Sequence, residues 1–137
     1  VMGACARGAA QAGGTVIGIV PYFMEKFEDI NHDCTEIIRT QTMGERKKIM
    51  EDRADAFIVA PGGIGTFDEF FQVITLAELG QKDAPIVLFN VDGYYDDLIG
   101  FLDQCTEKGF IRRRARDLLY ICNDPAKAVE YIDQLLG

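Results

Sequence analysis

The chain has 137 residues, of which 48% are hydrophobic and 26% are charged, and its formal net charge at pH 7 is −8. This length suits one domain with one core, and the composition excludes a disordered or membrane-embedded chain. The excess of acidic residues repels a polyphosphate backbone, which makes DNA or RNA a poor partner. The longest apolar runs, such as 15–21 and 56–60, are too short to cross a bilayer, so no membrane partner is expected.

The start of the chain lacks the basic segment and the long apolar stretch of a secretory signal, which indicates a cytoplasmic protein. Four cysteines lie 29, 71 and 17 positions apart, and the sequence has one histidine to join them as a ligand. The cysteines are Cys5, Cys34, Cys105 and Cys122. Because they include no CxxC pair, we expect no structural metal, and we interpret them as buried thiols rather than disulfides.

Short apolar runs rich in valine and isoleucine alternate with longer stretches of helical spacing, the order typical of an α/β protein. The pattern predicts strands over 15–20, 36–40, 55–60, 85–90 and 118–122, of which 55–60 and 85–90 are buried. It predicts helices over 2–11, 43–53, 66–79 and 94–107, and a last helix that Asp124 caps and Pro125 begins. We therefore predict one domain, residues 1–137, with a doubly wound parallel sheet and helices on both faces.

The predicted order begins with a helix, whereas a doubly wound fold normally begins with a strand. We therefore expect a first strand and its phosphate-binding loop upstream of Val1. In such a sheet, ligands bind at the carboxyl ends of the strands, so the loops that follow the predicted strands are the candidate sites.

Residues 60–69, APGGIGTFDE, follow a buried predicted strand and begin a helix. Their three glycines let the backbone turn tightly and bring N–H groups close to a ligand, and the positive end of the helix dipole favours an anion. The stretch is not a Walker A loop, because no lysine precedes Thr66, and it lacks the GxGxxG spacing of dinucleotide sites. We interpret it as a phosphate cradle.

A structural alternative is open for the same stretch. Thr66 and Glu69 have the T-x-x-E spacing of a capping box, which needs no ligand. A plain cap does not require three glycines after a buried strand, so we favour the anion-binding interpretation, with which a cap is compatible.

Residues 43–50, MGERKKIM, form a second constellation. In a helix, positions 43, 46, 47 and 50 share a face, so Arg46 and Lys47 flank an apolar stripe. Cations in such positions are equally typical of long side chains that extend from a half-buried helix into water. The pattern alone leaves both alternatives open.

Together, the two constellations resemble the joint signature of the LONELY GUY (LOG) family of phosphoribohydrolases. This signature is the pair Arg46-Lys47 followed by PGGxGTxxE, whose final Glu69 lies 23 positions after Arg46. Further matches are Met2-Gly3, residues 16–21 (VIGIVP), Leu79-Gly80 and residues 90–95 (NVDGYY). The resemblance therefore covers nearly the whole chain.

The resemblance implies a Rossmann-like fold, a homodimer, and hydrolysis of nucleoside 5'-monophosphates, either cytokinin ribotides or AMP, to free base and ribose 5-phosphate without a cofactor. It implies that Arg46 and Glu69 are the catalytic pair. The implied phosphate-binding residues are Gly62, Gly63, Gly65 and Thr66, and the further implied substrate contacts are Gly3, Met43 and Lys47. Many relatives carry the name lysine decarboxylase, which we reject because nothing here resembles a pyridoxal phosphate lysine with its pyridinium partner.

Two functions of other classes stay open. One is a binding module that holds a phosphorylated ligand without cleaving it, as molybdenum-cofactor carriers of a similar fold do. The other is a structural dimerisation domain, which leaves the glycine cradle unexplained. The glutamate of the signature favours hydrolysis, because a carrier gains little from a carboxylate near its phosphate.

The remaining polar residues are weaker candidates. His32 is expected to be a surface residue rather than a catalyst, and Asp92 a turn or cap residue. Tyr94 and Tyr95 are expected to pack at the start of a helix. A basic patch, which we interpret as a solvated helix face, consists of Arg112, Arg113, Arg114 and Arg116.

Overall fold

The computed structural model of the chain describes residues 1–24 and 33–137. These residues form two compact units, 1–53 and 54–137, and each unit has its own parallel sheet. The α/β class and the parallel strands flanked by helices, which the alternating sequence pattern predicts, are confirmed. That residues 1–137 form one domain stays a prediction.

The first unit pairs two parallel strands with two helices. Its elements are α1 (Met2–Gln11), β1 (Ile17–Pro21), a 3-10 turn (Tyr22–Met24), β2 (Glu36–Thr40) and α2 (Met43–Arg53). The pairing runs from Ile17 opposite Glu36 to Pro21 opposite Thr40, and α2 packs against both strands. After α1, Gly13 takes a φ of +81°, a conformation that glycine adopts without steric cost, and the chain turns into β1.

The second unit contains a three-stranded parallel sheet in the order β3-β4-β5. Its elements are β3 (Phe57–Val59), α3 (Ile64–Glu78), β4 (Ile86–Phe89), a 3-10 turn (Val91–Gly93), α4 (Asp96–Glu107), α5 (Ala115–Leu118), β5 (Tyr120–Cys122) and α6 (Pro125–Leu136). Phe57 lies opposite Ile86, and Val87 opposite Tyr120. Because all three strands run in the same direction, their carboxyl ends meet at one edge of the sheet.

The core of the second unit forms around the central strand β4, in which Ile86, Val87 and Leu88 are all buried. Phe70 of α3 and Tyr95, just before α4, belong to the same buried cluster as Leu88. A parallel strand that is buried on both faces has a continuous run of apolar residues, and this run is what predicted the buried strand over 85–90.

The predicted bounds of α1, β2 and α2 coincide with those of the structure, and Asp124 caps α6 as predicted, since its Oδ1 accepts the N–H of Ala126 at 2.9 Å. The short helix α5 was not predicted, because four residues show no helical periodicity. The prediction of a buried strand is wrong for Ile58 of β3, which is 52% exposed. Its side chain points to the face opposite that of Phe57 and Val59, which are half-buried.

All four cysteines are free, but the expectation of buried thiols is wrong for Cys5, which is exposed on the helix α1. The other three are half-buried. His32 lies outside the described residues. Within 1–24 and 33–137, no helix has both the length and the apolar character needed to cross a membrane.

Truncation of Leu88 tests whether β4 is the centre of the core. Because this side chain is fully buried, Leu88→Ala is expected to lower the free energy of unfolding by about 3 kcal/mol, through lost apolar burial and the cavity that remains. Leu135→Ala, on the exposed side of α6, is the matched control and is expected to change it by less than about 0.5 kcal/mol. Urea unfolding of both variants measures the difference, and equal losses would contradict this description of the core.

Candidate functional site

The loop between β3 and α3 exposes the amino end of a long helix. β3 ends at Val59, and Gly63 is the N-cap of the 15-residue helix α3, its carbonyl accepting the N–H of Phe67 at 3.0 Å. The N–H groups of the first helical turn have no carbonyl partners within the helix. These groups form the positive end of the helix dipole. The structure describes the whole first turn of α3, and that turn contains no acidic side chain. This end of α3 therefore suits an anion.

Gly62 is required by a close approach within the chain. A Cβ at this position would overlap the Oγ1 of Thr66 and would lie 2.9 Å from its Cβ. At Gly63 and Gly65, by contrast, no atom of the described residues lies within 4 Å of where a Cβ would be. Packing among the described residues therefore accounts for one of the three glycines, and the other two leave the backbone N–H groups open to a ligand.

The capping-box interpretation of Thr66 and Glu69 is wrong, because Gly63 is the N-cap and Thr66 is the third residue of α3. The spacing T-x-x-E suggested that Thr66 caps the helix, but α3 already begins at Ile64, before the threonine. Glu69 is half-buried on α3, whereas its neighbour Asp68 is exposed. Residues 65, 66 and 69 have the spacing that places side chains on one helix face.

Two tyrosines hold the β3–α3 loop from the neighbouring loop. The hydroxyl of Tyr94 donates a hydrogen bond to the carbonyl of Gly62 at 2.6 Å, and the hydroxyl of Tyr95 donates one to the carbonyl of Ala60 at 2.6 Å. Burial raises the pKa of the Tyr95 hydroxyl, and the adjacent Tyr94 raises it further, so this group stays protonated and able to donate at neutral pH. These two hydrogen bonds go beyond the packing at the helix start that the sequence predicts for the two tyrosines.

Asn90 fixes the position from which both tyrosines extend. Its N–H donates to the carbonyl of Cys122 at 2.7 Å, its Oδ1 accepts the N–H of Tyr95 at 2.7 Å, and its Nδ2 donates to Oδ1 of Asp96 at 2.8 Å. Asp92 has a φ of +51° within the intervening turn, which confirms its prediction as a turn residue. The stretch NVDGYY thus joins the end of β4 to α4 in a hydrogen-bonded arrangement.

The second constellation lies on α2 in the first unit. Met43, Arg46 and Lys47 are half-buried, as expected for positions that share one helix face, while Lys48 is exposed and pairs with Asp52 at 2.9 Å. Gly3 of α1 is also half-buried in this unit. These residues therefore belong to the first unit, and the glycine loop with Glu69 belongs to the second.

A variant of the capping box occurs at the start of α2, in which the glutamate bonds to the residue before the capping threonine. The Oγ1 of Thr42 accepts the N–H of Glu45 at 3.0 Å, and the carboxylate of Glu45 accepts the N–H of Gln41 at 2.9 Å. The carbonyl of Thr42 accepts the N–H of Arg46 at 3.2 Å. These bonds fix the first turn of α2 and hence the backbone that carries Arg46. The spacing Thr42-x-x-Glu45 was present in the sequence and was overlooked.

Comparison with known proteins gives one consistent result. A family model described as possible lysine decarboxylase matches residues 2–132. Cytokinin riboside 5'-monophosphate phosphoribohydrolase of Mycobacterium tuberculosis is 41% identical over 128 residues, which are 93% of this chain and 68% of that protein. The protein of the same name from Mycobacterium marinum is 38% identical over 94% of this chain and 69% of its own length. A relative of that name from Arabidopsis thaliana is 35% identical over 98% of this chain and 63% of its own length.

The chain belongs to the LOG family. The family model is described by decarboxylase chemistry, whereas the three relatives above are named phosphoribohydrolases. The comparisons therefore agree with the resemblance found from the signature PGGxGTxxE.

The other groups in this LOG-family chain fit structural roles. All four arginines of the basic patch are exposed, and Arg116 Nε lies 3.9 Å from Asp103 Oδ2. The prediction of a helix face is wrong for Arg112, Arg113 and Arg114, which precede α5. The main-chain N–H of Arg112 donates to Oε1 of Glu78 at 3.4 Å. Within the described part of the chain, no three His, Cys, Asp or Glu side chains are grouped so as to hold a metal ion.

The glycines of the loop provide a matched pair of variants. Gly62→Ala is expected to destabilise the protein by about 1–3 kcal/mol, because the new Cβ overlaps Thr66 and the loop must shift. Gly63→Ala is the control, since no described atom lies within 4 Å of its Cβ position and its φ of −109° is accessible to alanine. Thermal unfolding compares the two, and an equal loss for Gly63→Ala would show that the loop geometry is misassigned.

Proposed function

We propose that the chain hydrolyses the N-glycosidic bond of nucleoside 5'-monophosphates, releasing the free base and ribose 5-phosphate. The substrates are cytokinin ribotides, AMP or both. The observation that carries the proposal is that the loop 60–63 leaves the amino end of α3 accessible to an anion, while Glu69 lies on the same helix. The names of the relatives, which specify a riboside 5'-monophosphate, supply the substrate class.

The phosphate site of this proposal is formed by Gly62, Gly63, Gly65 and Thr66. A phosphate monoester carries up to two negative charges and accepts several hydrogen bonds, which is the chemistry that helix N–H groups and a threonine hydroxyl complement. The open space at Gly63 and Gly65 lets an oxygen approach the backbone directly. Lys47 adds positive charge beside the phosphate in this proposal.

Glu69 is proposed to act at the sugar. It lies six residues after Gly63, which is about 9 Å along the helix axis. That length is comparable with ribose 5-phosphate, and side chains of a helix lean towards its amino end. Cleavage builds positive charge on the ribose ring, which a carboxylate stabilises, so Glu69 binds the ribose hydroxyls and supports the oxocarbenium side of the transition state.

Arg46 is proposed to orient the nucleotide and to support the departing base, on which negative charge develops. A guanidinium stays charged at every relevant pH and presents several donors in a fixed plane, so it suits this role. The capping box at Thr42 and Glu45 holds the helical turn from which Arg46 extends. Met43 and Gly3 are proposed as further contacts to the substrate. The reaction needs water but no cofactor or metal.

The homodimer, which the resemblance implies, and a cytoplasmic location are part of this proposal. A nucleoside monophosphate is a metabolite of the cytoplasm, which is what supports this location.

The proposal is tested by the release of free base from AMP and from an N6-prenylated adenosine monophosphate, with the matching nucleosides as controls. The full-length protein, including any residues before Val1, is expected to cleave the monophosphates and to leave the nucleosides intact, because the phosphate supplies the binding energy. Chromatography of the released bases measures both rates. Binding of the monophosphates without cleavage would instead support the carrier function.

Variants of the two proposed catalytic residues test their roles. Glu69→Gln and Arg46→Ala are each expected to lower kcat by about a hundredfold or more, because each removes a charge used in the transition state. Asp68→Asn is the control for the first variant, since Asp68 is the exposed neighbour on α3, and Lys48→Ala is the control for the second. Normal turnover in either catalytic variant would remove that residue from the mechanism.

A further inference from the structure

Adjacent tyrosines hold the two ends of the loop between β3 and α3. Tyr95 is 2% exposed, and its hydroxyl bonds to the carbonyl of Ala60, where the chain leaves β3. Tyr94 is 52% exposed, and its hydroxyl bonds to the carbonyl of Gly62, directly before the N-cap of α3. The rings contact edge to face, with centroids 4.9 Å apart. Tyr95 is thus an internal anchor, and Tyr94 contacts the loop from its solvent side.

Because a peptide unit is planar, the hydrogen bond from Tyr94 also determines the direction of the N–H group of Gly63. The carbonyl of Gly62 and the N–H of Gly63 belong to one planar peptide unit. This peptide is trans, so the two groups point in opposite directions. A hydroxyl that fixes the carbonyl of Gly62 therefore also fixes the direction of the Gly63 N–H, which points away from Tyr94.

The same hydrogen bond changes the electrostatics of the loop. Donation to a carbonyl polarises its peptide unit, which makes the N–H at the other end a stronger donor. The hydroxyl hydrogen also carries a partial positive charge. It offsets the negative charge of the Gly62 carbonyl oxygen, which would otherwise repel a nearby anion. Both effects favour an anion at Gly63, which is exposed.

A pure packing role does not explain this arrangement. The buried Tyr95 contacts the ring of Phe67 at a centroid distance of 6.5 Å, and it belongs to the core cluster. Tyr94 has half of its surface in water, yet its hydroxyl is bonded to the loop at 2.6 Å rather than left to the solvent. The hydroxyl of Tyr94 therefore makes a specific contact with the loop, in addition to the contact between its ring and Tyr95.

We propose that Tyr94 is a positioning residue for a phosphate monoester: through the carbonyl of Gly62, it aims the N–H of Gly63 at the phosphate of the ligand. Tyr94 itself does not touch the reacting atoms. The proposal rests on the phosphate site of the proposed function, and it adds a residue from the β4–α4 loop to that site.

The test is Tyr94→Phe in the full-length protein, which removes the hydroxyl and keeps the ring. The dissociation constants of AMP and ribose 5-phosphate are expected to rise about tenfold, which is the effect of one hydrogen bond. Binding of adenosine and of ribose is expected to stay unchanged. In turnover, KM rises by the same factor while kcat stays within about twofold, because the phosphate is held equally in the ground and transition states.

Tyr131→Phe is the matched control, because Tyr131 lies on α6 and stacks against Tyr120 of β5 rather than against the loop. It is expected to leave all four dissociation constants unchanged. The amide resonance of Gly63 gives a second readout that does not depend on a ligand. Its proton shift is expected to move upfield in Tyr94→Phe, since the N–H becomes less polarised, and to stay constant in the control.

The outcomes separate this proposal from the proposed function. Unchanged affinity for AMP and ribose 5-phosphate in Tyr94→Phe overturns the positioning role, even when the wild-type protein hydrolyses AMP. An equal loss for AMP and adenosine also overturns it, since that result indicates general disorder of the loop. Selective loss of monophosphate binding in a protein without hydrolase activity supports the positioning role and removes the proposed reaction. Failure of the wild-type protein to bind either phosphate overturns both.

Discussion

The parallel pairing of β3 with β4 is the contact on which the candidate site of the second unit depends. Because the strands run in the same direction, the loops that follow them leave the sheet at the same edge, side by side. Tyr94 and Tyr95 in one loop therefore reach the carbonyls of Gly62 and Ala60 in the other. An antiparallel partner would place its following loop at the opposite edge, and the glycine loop would lose both bonds. The buried residues of β4 are what hold this pairing in place.

The loop then combines two requirements that usually conflict. A ligand site needs backbone N–H groups that are open to solvent, whereas a loop of small residues loses more conformational entropy on folding than other loops do. Here Gly63 and Gly65 leave the N–H groups open, while contacts from outside the loop supply the order. The proposed reaction needs such order, because a phosphate held at one end of the ribose fixes the position of the bond to be cleaved.

The sequence predicted the elements of the fold better than their ends. The predicted bounds of α2 match those of the structure, and a continuous apolar run identified β4 as buried. The start of α3 was misplaced because Thr66 and Glu69 imitate a cap, whereas Thr42 and Glu45, which have the same spacing, form a real one. Spacing alone cannot distinguish these cases, since a cap requires that the N-cap residue itself has non-helical φ and ψ angles.

The glycines of the candidate site and the family were predictable, because a glycine-rich motif is a local pattern. The hydrogen bonds from Tyr94 and Tyr95 were not, since they join residues 32 and 35 positions apart and depend on strand order.

The most direct test of the account is an NMR titration of the amides of the full-length protein with ribose 5-phosphate and, separately, with ribose. Saturable shifts at Gly63, Ile64 and Gly65 with the phosphate alone are predicted. Shifts confined to the arginines of the basic patch, or identical shifts with ribose, would contradict it.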